Sequence, residues 1–441
     1  MRRAVAGFAL VATLVSCGAP SGALSPGAST TSATTASPRV VLPSPIPQAI
    51  TRTSAAAQVA WIGVAPQGGK ASLVGVDPSG KIVGRLERDL GSFFRSTDGA
   101  QLFVVSDQVR SYSALDGSLL RNYGPTPGGA PLDAAFSPDG RWLALLGSRA
   151  YAEVIDLASG ATQTTPLGHD PNALHPGLSC PSCDPSALTW STLVFSPDSR
   201  HVYTIVDWGG PLRLTAFDVT PKGLTQTGTA VDGQGGQKFP SCAAAIAARV
   251  VNGGRTLAVF CHLDGRILFF DLATLTSAGV VQAEMRNPFW IAPIFTPDGQ
   301  LLYLHQYPAF GDQVQVVDLR TQKLLGPVRT PLKLSDPGPF AWLFTVAYAG
   351  GTPSTVPVSP DGLRLYVAGT GDGVTVLQVP DLKPVAKLAP GTDVGEVWIS
   401  GDGRTVYGME QGKGLVITAS DGSVKRVDVH DAAWFLASEH G

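Results

Sequence analysis

Side chains able to do chemistry are sparse in this sequence, and they are densest at Cys180-Pro181-Ser182-Cys183. His169, Asp170 and His175 precede this motif and Asp184 follows it. A Cys-x-x-Cys can close a short local disulfide, supply half of a zinc site, or act as a redox pair. Structural zinc needs four Cys or His ligands. His175 stands five residues before Cys180, but no second cysteine pair stands at zinc spacing. Redox pairs normally open a helix within a strand–helix–strand unit, and no such pattern surrounds this one. Asp184 in place of histidine excludes c-type haem attachment. The local disulfide is the preferred reading, with no metal expected.

Other catalytic signatures are missing. The sequence has no Gly-x-Ser-x-Gly elbow, no His-Glu-x-x-His, no phosphate-binding Gly-x-x-x-x-Gly-Lys and no dinucleotide-binding glycine pattern. Of seven histidines, His262 and His305 fall at the ends of strand-like runs, Phe260-Cys261-His262 and Leu304-His305-Gln306. Two readings apply to them, a channel-mouth lining or satisfied structural histidines. No cofactor is expected, and the sequence leans away from an enzyme.

The elements that position these residues come from a repeat. Phe136-Ser137-Pro138-Asp139-Gly140 recurs as Phe195-Ser196-Pro197-Asp198-Ser199, Phe295-Thr296-Pro297-Asp298-Gly299 and Val358-Ser359-Pro360-Asp361-Gly362. Weaker copies lie at Arg95–Gly99, Ile399–Gly403 and Val251–Gly254. Each precedes a strand-like run such as Val202-Tyr203-Thr204-Ile205-Val206. The phrase suits a tight hairpin: Ser or Thr opens the turn, Pro presets φ, Asp caps locally and Gly accepts positive φ. A second signal, a strand ending at Asp, occurs downstream in each unit, as in Ile155-Asp156, Phe217-Asp218 and Val317-Asp318. There are seven copies of the first signal and eight of the second. The mismatch places one unit across both chain ends, with three strands from residues 58–86 and one from 432–438.

Four-stranded units of this length, closed end to end, resemble a β-propeller of the YVTN, TolB-like and WD-repeat-like kind. The Ser-Pro-Asp-Gly phrase followed by a Leu-Tyr-Val run carries the resemblance over residues 56–441; the Gly-His and Trp-Asp pairs of WD repeats are absent. Eight blades are expected, with seven as the alternative if the N-terminal strands form an extra layer. The resemblance implies a fold. Some members of the group are lactonases or quinone-dependent dehydrogenases, which is fold analogy alone.

Ahead of the repeats, Met1-Arg2-Arg3 is a positive n-region. Ala4–Val15 is apolar, too short for a membrane span and suited to an export signal. It ends in Leu14-Val15-Ser16-Cys17, which resembles the bacterial lipobox. That implies a signal peptide over 1–16, cleavage before Cys17, and acylation of Cys17 as a membrane anchor on the extracytoplasmic side. Several acyl chains anchor stably where one cannot. Residues 17–55 are rich in Ser, Thr, Pro and Ala and read as a disordered tether.

With Cys17 assigned to the anchor, four of the five cysteines remain. Cys242 precedes and Cys261 follows the Asn252-Gly253-Gly254 turn. One hairpin brings them together, so a disulfide is expected, worth roughly 3 kcal/mol in the chain-entropy model.

Both kinds of short turn lie on one face, because strands alternate direction. The longer connections, Pro166–Leu188, Val231–Ser241, Pro331–Pro353 and Gln306–Gln313, fall on the other. Long loops on a rigid scaffold commonly carry function. Their aromatic residues and those of neighbouring strand ends nominate a binding face of Trp190, Trp208, Trp290, His305, Tyr307, Trp342 and Tyr348. The bland alternative is packing between blades.

Charge narrows the partners. Lys plus Arg total 32 against 34 Asp plus Glu, so no basic excess exists to neutralise nucleic-acid phosphates. Charged residues are only 15%, below the roughly 25% usual for soluble proteins. Two function classes result: a module binding a protein, peptide or glycan through the long-loop face, or a propeller enzyme with its site at the channel mouth.

Overall fold

The computed structural model describes residues 52–436, except 65–71, 88–91, 127–130, 148–150, 168–189, 208–211, 234–237, 241, 243–244, 263, 285–290, 307–313, 327–356, 370–372, 411–413, 420–421 and 431. Cys17, Cys180, Cys183, Trp208, Trp290, Tyr307, Trp342 and Tyr348 therefore lie outside the described residues. So do the leader and most of the tether.

Eight antiparallel sheets follow one another around a ring. Seven have four strands. In the seventh blade three strands are formed (Arg364–Gly369, Gly373–Gln378, Lys383–Leu388), and the innermost position is held by a single bridge, Val358 to Leu365. The expected closure is observed. Blade 1 takes its three outer strands, Ala60–Val64, Ser72–Val76 and Ile82–Glu87, from the start of the ring. Its inner strand, Ala432–Phe435, comes from the end. Trp434 opposite Gly63 and Phe435 opposite Ile62 set the register. The N-terminal strands thus build a blade of their own, which settles the count at eight rather than seven.

The packing explains the strand composition. Second strands such as Trp142–Gly147, Thr256–Cys261 and Thr405–Glu410 are buried at every position. Each is covered on both faces by neighbouring blades, so it reads as a continuous apolar run rather than an alternating one. Outer strands such as Lys383–Leu388 face solvent along most of their length. The core is divided into eight clusters, each shared by two consecutive blades. Tyr407, Met409 and Ile417 of blade 8, for example, meet Ile62, Val74 and Val76 of blade 1. Removing any blade would uncover two clusters.

The repeated phrase forms the turn between inner and second strands. Ser137 Oγ accepts from Trp142 N at 2.8 Å and donates to Asp139. Asp139 Oδ1 accepts from Arg141 N at 3.0 Å, and Gly140 adopts φ 70°. The hydroxyl–aspartate pair recurs at Ser96–Asp98, Ser196–Asp198, Thr296–Asp298, Ser359–Asp361 and Ser400–Asp402. Serine, aspartate and glycine each satisfy a separate requirement of one five-residue connection.

The residue before that serine is Phe in blades 3, 4 and 6 but Arg95 in blade 2. Arg95 is 1% exposed. It donates to Gly99 O, Val59 O and Ala56 O at 3.2, 3.1 and 2.7 Å, with its guanidinium 5.2 Å from the Trp398 ring centre. Burial, with a smaller push from Arg52, pulls its pKa down to about 10, so it stays charged near neutrality. Through it the N-terminal segment 52–59 is clamped across blades 8, 1 and 2. Arg52 N donates to Gly401 O, Gly401 N to Ala57 O, and the Tyr407 hydroxyl to Gln58 O. Among the described residues these contacts reach back to Arg52, a few residues before the start at 56 expected from the sequence.

Candidate interaction face

On the turn face every connection has two to five residues. On the opposite face they include 23 residues between Pro166 and Trp190 and 33 between Leu324 and Val358. All four long connections expected there run between the elements foreseen: outer strand to next inner strand after Pro166, Val231 and Leu324, and second to third strand after Gln306. The antiparallel order puts all four on one face.

The described base of this face is held by hydrogen bonds, packing and a covalent bond. Asp232 Oδ1 accepts from Phe239 N at 2.8 Å, and the Phe239 ring meets Phe270 edge-on at 5.0 Å. Cys242 is joined to Cys261 by the expected disulfide, with Cα atoms 5.2 Å apart. It fastens the end of the Val231–Ser241 connection to the second strand of blade 5.

Carboxylates near this face do structural work between blades. Asp133 and Glu396 occupy the same register on the inner strands of blades 3 and 8, opposite Leu146 and Met409. Asp133 Oδ2 accepts from Leu193 N of the next blade at 2.8 Å, and Glu396 Oε2 accepts from Phe435 N at 2.9 Å. Inner strands have no partner on the channel side, so a carboxylate from the preceding blade satisfies an edge N–H. Burial pushes Glu396 up to about 7, with the Phe435 N–H pulling the other way. Glu153, on the third strand of blade 3, is 3% exposed; desolvation raises it to about 7 and its Oε1 has no hydrogen-bond partner among the described residues. Gln315, at the matching register of blade 6, accepts from Glu284 N at 2.9 Å. Glu410 lies 3.6 Å from Arg426, whose guanidinium also donates to Thr392 Oγ1 at 3.1 Å.

Of the nominated aromatic residues, Trp190 opens the inner strand of blade 4, opposite Asp207, at the long-loop end as expected. Its backbone alone is described. His305 lies opposite Ala292 near the same end of blade 6 and is 4% exposed, so it belongs to the packed interior rather than to an open surface. Among the described residues no group of three His, Cys, Asp or Glu side chains is placed to hold a metal ion. Asp133 and Glu396 were missed by sequence reasoning. Their signal is a charge three residues before the hydrophobic residue that precedes the turn serine, in Asp133-Ala-Ala-Phe136 and Glu396-Val-Trp-Ile399.

The fold and this face define an eight-bladed β-propeller. No family model and no curated protein matches the chain. Solved structures share the architecture. The C-terminal WD40 domain of Sif2 is 13% identical with TM-score 0.53, covering 84% of this chain and 93% of that one. Dihydro-heme d1 dehydrogenase NirN in complex with DHE is 12% identical with TM-score 0.57, covering 88% and 77%. Hydrazine synthase of Kuenenia stuttgartiensis, 16% identical over 76% of this chain and 94% of that one, has a TM-score of 0.46 and carries no argument. At these identities the likeness concerns the fold alone.

Proposed function

We propose that this chain is a membrane-anchored, extracytoplasmic propeller that binds a protein, peptide or glycan through its long-loop face. The observation behind this reading is the asymmetry of the ring. One face is closed by two- to five-residue turns built from a repeated phrase, and the other holds every long connection. A rigid scaffold displaying variable loops on one side suits recognition. The anchor rests on the apolar leader and on Leu14-Val15-Ser16-Cys17. Asp133, Glu396 and Glu410 already answer backbone N–H groups or an arginine, which favours binding over catalysis by these groups.

Two measurements test the reading. Mass spectrometry of the exported protein should find residues 1–16 removed and Cys17 acylated; an intact N-terminus removes the anchor. In-cell photo-crosslinking from Asp184 and Trp342 should capture a consistent partner. A small-molecule thermal shift without any crosslinked partner would point instead to an enzyme.

A further inference from the structure

Large exposed hydrophobic side chains are not spread evenly around the ring. Of the eight large exposed hydrophobic side chains among the described residues, five, Ile82, Leu115, Leu119, Leu120 and Val424, each 45 to 59% exposed, lie at the turn-face end of the outer strands of blades 8, 1 and 2; Leu363 lies in a turn-face connection of blade 7, and Val280 and Val385 lie on the outer strands of blades 5 and 7. Ile82, Leu119 and Val424 hold one register, opposite Val76, Tyr112 and Thr418. At that register blades 3, 4 and 5 carry Thr162, Gln226 and Ser277, blade 6 the half-buried Leu324 and blade 7 Pro384. A cation follows or precedes each apolar site, in Lys81-Ile82, Leu119-Leu120-Arg121 and Val424-Lys425. The aspartates of the same turns, Asp77 and Asp116, accept backbone N–H groups, from Lys81 and Ser118.

The three blades are adjacent. The loop carrying Leu115 leans onto blade 1, where Trp61 Nε1 donates to Ala114 O at 2.8 Å. Lys425 of blade 8 donates to Ser79 O of blade 1.

The same sector receives the chain from its N-terminal side. Arg52 is bound at Gly401 of blade 8, and Ala56 is held by Arg95 of blade 2. Cys17 lies about 35 residues upstream, and a flexible linker of that length has an r.m.s. span of roughly 30–35 Å. A ring of this size is about 50 Å across, so the tether is short relative to the body it holds.

The geometry points to a lipid contact: the turn-face rim of blades 8, 1 and 2 rests on the bilayer, with Ile82, Leu115, Leu119, Leu120 and Val424 at the headgroup–acyl boundary. Lys81 and Lys425 lie beside the headgroup phosphates, whereas Arg121 donates to Leu157 O, Ala158 O and Ser159 O of blade 3 and ties the rim to that blade. Apolar side chains bordered by cations are what such an interface accommodates. The long-loop face then points away from the membrane. This inference rests on the anchored reading above.

The test uses the full acylated protein in vesicles of phosphatidylethanolamine and phosphatidylglycerol, with benzoylphenylalanine at Leu119 or, on the long-loop face, at Lys238. Lipid adducts should be at least fivefold more abundant from position 119. With the crosslinker at Leu115, an Ile82→Ser/Leu119→Ser/Val424→Ser variant should still float with vesicles while its adducts fall to the Lys238 level. Equal adducts from both faces of an acylated, vesicle-bound protein would overturn the rim contact and leave the anchor standing. A protein lacking the acyl mass and staying off the vesicles would remove the anchor, and the rim contact with it.

Discussion

The turn face and the long-loop end of the ring both carry carboxylates, and they treat them in opposite ways. On the turn face, Asp198 accepts from the Ser196 hydroxyl and from Arg200 N, and these bonds hold its pKa below the ordinary value. Towards the long-loop end, burial raises Glu153 and Glu396 to about 7. The turn aspartates are held by residues two positions away, so the turn is locally self-sufficient. The buried glutamates depend on neighbouring blades. The contrast separates what each repeat stabilises by itself from what only the closed ring provides.

The sharpest way to break that division is Arg95→Leu. It removes a charged donor from three carbonyls of two segments, of which Ala56 O keeps Val59 N, and stability should fall by roughly 3–5 kcal/mol in urea unfolding. A loss below about 1 kcal/mol would mean that the seam does not depend on the clamp. Next is Cys242→Ser with Cys261→Ser, expected to cost about 3 kcal/mol and to increase hydrogen exchange around Phe239. Unchanged exchange there would show that Asp232 alone holds the connection.

Glu153→Gln should act in the other direction. A carboxyl with a folded pKa near 7 and an unfolded value near 4.5 imposes no penalty below pH 4.5. It loses stability as pH rises from about 4.5 to about 7, and the loss is complete above that. The variant should therefore match the parent at pH 4 and exceed it by roughly 2 kcal/mol at pH 8. Equal stability at both values would show that Glu153 is solvated. The smallest effect is expected for Ser137→Ala, about 1–2 kcal/mol from a buried hydroxyl that accepts Trp142 N. Its exchange signature should be confined to blade 3.

What could be read from the sequence follows the same division. Ser-Pro-Asp-Gly demands its own turn, so seven turns, eight blades and the shared blade 1 were visible. Cys242 and Cys261 were paired because a hairpin must bring them together. Arg95 was not legible as a clamp, because its acceptors are backbone carbonyls, two of them 36 and 39 residues away. Asp133 and Glu396 were hidden for the same reason: each answers an N–H of another blade. His305 was nominated for a surface and is buried, since a strand end looks alike whether a neighbour covers it or not. The N-terminal segment was read as tether up to residue 55 because its composition is plain; its order comes from Gly401, Arg95 and Tyr407.

Blade 1 also sets an order in time. Its second strand, Ala60–Val64, is synthesised about 370 residues ahead of its inner strand, Ala432–Phe435. Blades 2 to 8 can form as they emerge, but the seam must wait until all of them have been made. Such a distant pairing is the slowest kind of contact to make. A chain stopped a dozen residues early would keep seven complete units and a sequence almost unchanged in composition. It would still present an open inner edge on Ala60–Val64, available to the same strand of another molecule.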